Sequence, residues 1–126
     1  MREIKFRGKN SFQNNWFYGF LTKEKNKYYI TEDSTDFYQI DENTIGQFTG
    51  LYDKYNVPIY EGDVINNKGI VEDANYEVIY DGGAFYGKRK NYYYPEEEVF
   101  LKLYKADKEN IEVIGNIYDK EEQIWN

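Results

Sequence analysis

Any chemistry in this chain has to be done by carboxylates, amines and phenols, because it contains neither histidine nor cysteine. Without imidazole there is no Ser-His or Cys-His nucleophile pair and no imidazole metal ligand. Without a thiol, disulfides, zinc–thiolate sites, iron–sulfur clusters and thiol nucleophiles are excluded together. The two serines, Ser11 and Ser34, stand in polar stretches that read as loops. What remains is Asp, Glu, Lys or Tyr as acid, base or nucleophile, or magnesium held by oxygen ligands. Glu61 and Asp63 have the i, i+2 spacing that puts two carboxylates on one face of a strand. The glycine between them instead favours a sharp turn into a strand. Asp33 and Asp36, in Thr31-Glu-Asp-Ser-Thr-Asp36, lack the Asp-x-Asp-x-Asp-Gly order of a calcium loop and read as a turn. The expectation is a protein that is not an enzyme, with no catalytic, cofactor-binding or metal-binding residues and no cofactor.

Binding chemistry is better represented. Gly87-Lys-Arg-Lys-Asn-Tyr-Tyr-Tyr94 sets three cations beside three tyrosines. Cations neutralise phosphates and aromatic rings stack on bases, so Lys88, Arg89, Lys90, Tyr92, Tyr93 and Tyr94 are the candidate ligand or partner contacts. Pro95-Glu-Glu-Glu98 follows at once and would repel a phosphate backbone, which favours an exposed hairpin flank with solvated charges. The formal charge of −7 also argues against sequence-independent nucleic-acid binding. Residues 1–63 hold eight basic and ten acidic residues, and residues 64–126 eight and thirteen. Glu72-Asp73, Glu96-Glu-Glu98, Asp107, Glu109 and Glu121-Glu122 could present spaced negative charge that imitates DNA to a basic protein. Twenty-five aromatic residues exceed what so small a core encloses, so several tyrosines must reach the surface, where they suit interfaces. AT-rich coding is an alternative source of the same tyrosines.

Strands have to position these groups. Ile, Val, Tyr, Phe, Trp and Thr supply 48 residues against seven Ala and Leu, a bias that suits pleated, half-buried surfaces. Asn15–Leu21 alternates Trp16, Tyr18 and Phe20 against Phe17, Gly19 and Leu21. Glu98–Tyr104 alternates Val99, Leu101 and Leu103 against Phe100, Lys102 and Tyr104. Turns are predicted at Lys25-Asn26, Asp53–Pro58, Asn66–Gly69 (leading into Ile70-Val71) and Asp81-Gly-Gly83. Asp119-Lys-Glu-Glu122 has capping-box spacing for a short helical turn carrying Ile124 and Trp125. Eight to ten short strands and no long helix imply an all-β fold, either a small barrel or a pair of packed sheets, with at most one or two short helical turns. At 126 residues the chain buries roughly two-thirds of its unfolded surface and needs no staple. Met1–Phe6 lacks the apolar run of a signal peptide, and no stretch approaches the ~20 apolar residues of a membrane span, so a cytoplasmic location is expected.

Four segments resemble, in order, the framework of the YopX family of phage and prophage proteins. They are Met1-Arg-Glu-Ile-Lys-Phe-Arg-Gly8, Trp16-Phe-Tyr-Gly19, Ile45–Asp53 continuing through Ile59-Tyr-Glu-Gly-Asp-Val-Ile65, and Val113-Ile-Gly-Asn-Ile-Tyr118. Residues 66–110 correspond to the family's variable insert. The resemblance implies a mainly all-β fold in which a small, partly open SH3-like barrel packs with an N-terminal β-meander. It also implies a phage or prophage origin, and it carries no established reaction. One domain over 1–126 follows, divisible into lobes 1–57 and 58–126. The functional expectation is a phage or prophage accessory protein acting as a non-catalytic binding module; the alternative is an acidic inhibitor of a host defence or DNA-processing protein. Expected partners are a host or phage protein and a second copy of the chain, with nucleic acid or a nucleotide behind them and no membrane.

Overall fold

A computed structural model of the chain describes residues 3–10, 12–69 and 73–119. The all-β expectation holds: the described residues form strands and short 3-10 turns, with no α-helix. The strands are β1 (Phe6–Asn10), β2 (Asn15–Glu24), β3 (Lys27–Thr31), β4 (Tyr38–Ile40), β5 (Gly46–Tyr52), β6 (Pro58–Tyr60), β7 (Asp63–Lys68), β8 (Asp73–Asp81), β9 (Ala84–Lys90), β10 (Glu98–Lys102) and β11 (Ile111–Asn116). Among the described residues there are eleven rather than eight to ten, because three-residue strands such as β4 and β6 are too short to leave a periodic signal. Among the described residues the helical content is three short 3-10 turns, Glu42–Thr44, Leu103–Lys105 and Lys108–Asn110, where at most one or two helical turns are expected. The chain divides into two compact units, Met1–Gly50 and Leu51–Asn126.

In the first unit the strands lie antiparallel in the order β4-β3-β2-β1-β5. Lys25 and Asn26 join β2 to β3 with φ of 50° and 68°, the left-handed pair that a two-residue hairpin needs. Phe17, Gly19 and Leu21 are the inward face of β2; Ile30 and Ile40 are buried on that side, and the Phe17 ring stacks on Tyr38 at 4.3 Å. A Cβ at Gly19 would sit 2.3 Å from the Thr31 carbonyl oxygen, so only glycine permits this crossing.

The second unit holds a sheet in the order β10-β9-β8-β7-β11, antiparallel throughout. Its core is Ile59, Ile65, Tyr76, Val78, Phe85, Leu103 and Ile111. The sheet does not close into a barrel: β10 and β11 lie at opposite edges, and the chain crosses between them through the last two 3-10 turns, burying Leu103 in the core. The Gly82-Gly83 turn joins β8 to β9 as predicted. The turn expected at Asn66–Gly69 starts too early, because β7 continues through Lys68. The Asn66 amide donates across the ladder to Asp73 Oδ1 and Asn75 Oδ1, at 2.6 and 2.9 Å, rather than closing a turn. Ile70-Val71 lie outside the described residues, as does all of the expected Asp119–Glu122 helical turn except Asp119.

Two carboxylates organise this unit. Asp53, only 1% exposed, accepts from the Tyr55 and Val57 N–H groups through Oδ1 and from the Val113 N–H through Oδ2, each at 2.9 Å. Buried Asp63 accepts from the Tyr60 N–H at 2.8 Å across the turn at Gly62. Gly62 in turn donates to Val78 and accepts from Ile117. Gly115 lies at a bulge in β11 opposite β7.

Candidate functional site

Successive side chains of β9 point to opposite faces, and this separates the three consecutive cations. Phe85 and Gly87 are buried on the core face, and Arg89 shares it, its guanidinium 5.4 Å from the centre of the Tyr76 ring. The Arg89 Nη1 donates to the Lys90 carbonyl at 3.0 Å. Lys88 and Lys90 share the opposite face with Tyr86. Lys88 Nζ lies 2.8 Å from Glu98 Oε2, and Lys90 stands directly opposite Glu98 in the ladder. The hydrogen bond that the Lys88 amine donates to Glu98, reinforced by the carboxylate's charge, raises that amine above its ordinary range. The Lys88-Arg89-Lys90 run is therefore part of a mixed-charge ladder rather than one contiguous phosphate-binding patch.

The tyrosines have a different setting. The β9–β10 loop is closed by Asn91 N–H to Glu97 and Glu97 N–H to Tyr94, both 2.8 Å. The Asn91 side chain accepts from the Tyr93 and Tyr94 N–H groups at 2.9 and 3.1 Å, an Asx turn at the base of the loop. On this fixed backbone Tyr92 and Tyr93 are each 82% exposed and meet edge to face at 5.4 Å; Tyr94 is also exposed. Glu96, Glu97 and Glu98 are exposed beside them. The hairpin tip thus combines amphipathic rings with carboxylates.

Behind the tip, on the outer face, the Tyr86 ring meets Phe100 at 6.4 Å and Tyr104 at 6.2 Å, both edge-on. Tyr104, acting mainly through charge and then with burial, raises the Tyr86 phenol above its ordinary range. Phe100 is half exposed. Sequence reasoning put Phe100 and Tyr104 on the face opposite Val99, Leu101 and Leu103 but did not select them. Their signal was an aromatic at an outward position of an otherwise alternating strand.

The carboxylate pairs are turn formers. Glu61 lies in the turn itself while Asp63 opens β7, so they do not share a strand face. Asp33 Oδ1 accepts from the Thr35 and Asp36 N–H groups at 2.9 and 3.4 Å, bonds that lower its pKa. Asp107 likewise accepts from the Glu109 N–H at 3.0 Å. Among the described residues no group of three or more acids is placed to hold a metal ion, and no helix is long and apolar enough to cross a membrane. In the first unit the apolar side chains of Ile4, Tyr18 and Phe20, together with Glu3, Lys5, Gly19 and Glu32, line a groove of about 740 Å³.

No curated protein matches the chain. The family model described as YopX protein matches residues 5–124, nearly the whole length and all four framework segments but for the first residues of the first. The match includes Asp53, Gly62 and Asp63, which tie the second unit together, and it extends through the β9–β10 hairpin. The chain belongs to the YopX family.

Proposed function

We propose that this is a phage or prophage accessory protein that works in the bacterial cytoplasm as a non-catalytic binding module, with the tip of the β9–β10 hairpin as its contact surface for a protein partner. The observation that carries this reading is the pair Tyr92 and Tyr93, each 82% exposed on a loop whose backbone is already fixed by Asn91. Burying rigid aromatics from an ordered loop costs little conformational entropy, which is why such residues dominate binding hot spots. The adjoining Glu96–Glu98 make a basic protein surface the better electrostatic match than a nucleic acid. The test is capture from nuclease-treated host lysate by the tagged chain and by its Tyr92→Ser/Tyr93→Ser variant. A partner retained by the first and reduced at least about tenfold with the second supports the reading. Equal recovery by both, or loss of every partner on nuclease treatment, refutes it.

A second reading, inhibition of a host defence or DNA-processing protein by an acidic surface, is favoured by the distribution of charge. Residues 1–50 carry seven basic and seven acidic residues, so the net −7 lies entirely in residues 51–126. Capture that weakens steeply between low and moderate salt, and that accompanies loss of the host activity, would select this reading over hot-spot binding alone.

A further inference from the structure

Exposed sheet edges invite further pairing, and native proteins protect them with short strands, proline, bulges or covering segments. Three edges here are protected. β4 and β6 have three residues each, and β6 opens on Pro58. β11 is bulged between Val113 and Gly115, and its edge is occupied by Lys54 N–H to Ile111 (2.9 Å) and Val113 N–H to Asp53. Among the described residues β10 is the exception: five residues in unbroken register with β9, with a half-exposed phenylalanine at its centre.

The hydrogen-bond parity of β10 can be read from both ends of β9. Asn91 N–H bonds to Glu97, and alternation along the ladder then makes Arg89–Val99 and Gly87–Leu101 the hydrogen-bonded pairs. The β8–β9 turn gives the same parity, because Asp81 and Ala84 flank a two-residue loop and so Tyr86 and Lys88 bond to β8. The N–H and C=O groups of Glu98, Phe100 and Lys102 therefore point away from the sheet. Their sequence is self-complementary: in an antiparallel pairing centred on Phe100, each Glu98 faces a Lys102 and each Val99 faces a Leu101. No other register uses all three outward residues.

We propose that β10 pairs with β10 of a second copy across a twofold axis, joining two five-stranded sheets into one and presenting two hairpin tips. The occupant is a second copy because opposite charges directly across the ladder stabilise the pairing and the strand supplies both. Val99 and Leu101, partly buried against the core, would extend it across the joint.

The 126-residue chain contains no cysteine, so single cysteines report on the pairing. Hydrogen-bonded antiparallel partners have Cα atoms about 5.5 Å apart, within disulfide range. The prediction is a native mass of twice the 15.2 kDa chain by light scattering, and a Phe100→Cys variant that oxidises to a covalent dimer much faster than a Tyr92→Cys control. Glu98→Lys should shift the chain to monomer, and Glu98→Lys/Lys102→Glu should restore the dimer, with circular dichroism verifying the fold of each. A monomeric wild type overturns the proposal, as does a dimer in which Phe100→Cys cross-links no faster than the control. Edge amides of Glu98, Phe100 and Lys102 that become protected only on adding host lysate would assign the edge to a foreign strand and overturn it equally.

Discussion

At the scale of single residues, polar side chains here mostly serve the backbone. Asp53 illustrates this: one buried carboxylate satisfies three N–H groups, of which Val113 lies 60 residues away in sequence. Asp53→Ala would leave those part-buried donors without their acceptor, at a cost of about 2–3 kcal/mol. Urea unfolding should show it as a lowered midpoint, and a loss below about 1 kcal/mol would deny Asp53 this role. Lys88 makes a prediction in pH. Its amine is raised by Glu98, so the stability it contributes is complete below the ordinary value of 10.5 and is lost as pH rises through the higher folded value. Side-chain NMR should find the amine titrating late in the wild type and returning toward 10.5 in Glu98→Gln. An unchanged titration in that variant would remove Glu98 as the cause.

At the scale of elements, glycine at close approaches and two-residue turns decide how the strands meet. Gly19 adopts φ of +151° with the Thr31 carbonyl where a side chain would be, so Gly19→Ala should destabilise the chain by at least about 2 kcal/mol. Thermal unfolding that leaves the midpoint unmoved would contradict the packing of β2 on Thr31. The elements that the sequence disclosed were those with local causes. Lys25-Asn26 and Gly82-Gly83 announce hairpins, and alternation in Asn15–Leu21 and Glu98–Tyr104 assigns faces correctly. What stayed hidden was non-local. Asn66 looks like a turn residue, but Asp73 and Asn75 across the ladder hold it in a strand. The run Lys88-Arg89-Lys90 looks like one patch until pleating places Arg89 against Tyr76 and the two lysines beside Glu98. Composition could not show that Lys88 and Arg89 had partners supplied by other strands.

At the scale of the molecule, the two units differ in character. Residues 1–50 are electrically balanced around a meander, whereas residues 51–126 carry the whole net charge and the hairpin with its exposed rings. The framework is thereby separate from the proposed contact surface. Asp53, Asp63 and Gly62 tie strands together within the second unit, while Tyr92 and Tyr93 leave the core untouched. Substituting both tyrosines by serine should therefore change unfolding free energy by no more than about 0.5 kcal/mol while weakening partner binding. The most direct measurement is amide hydrogen exchange on the chain alone and on its purified complex with the captured partner. Slowed exchange concentrated in residues 91–97 is the predicted result. Unchanged exchange there, with protection appearing in the Ile4–Tyr18–Phe20 groove or elsewhere, would contradict the hairpin tip as the binding surface.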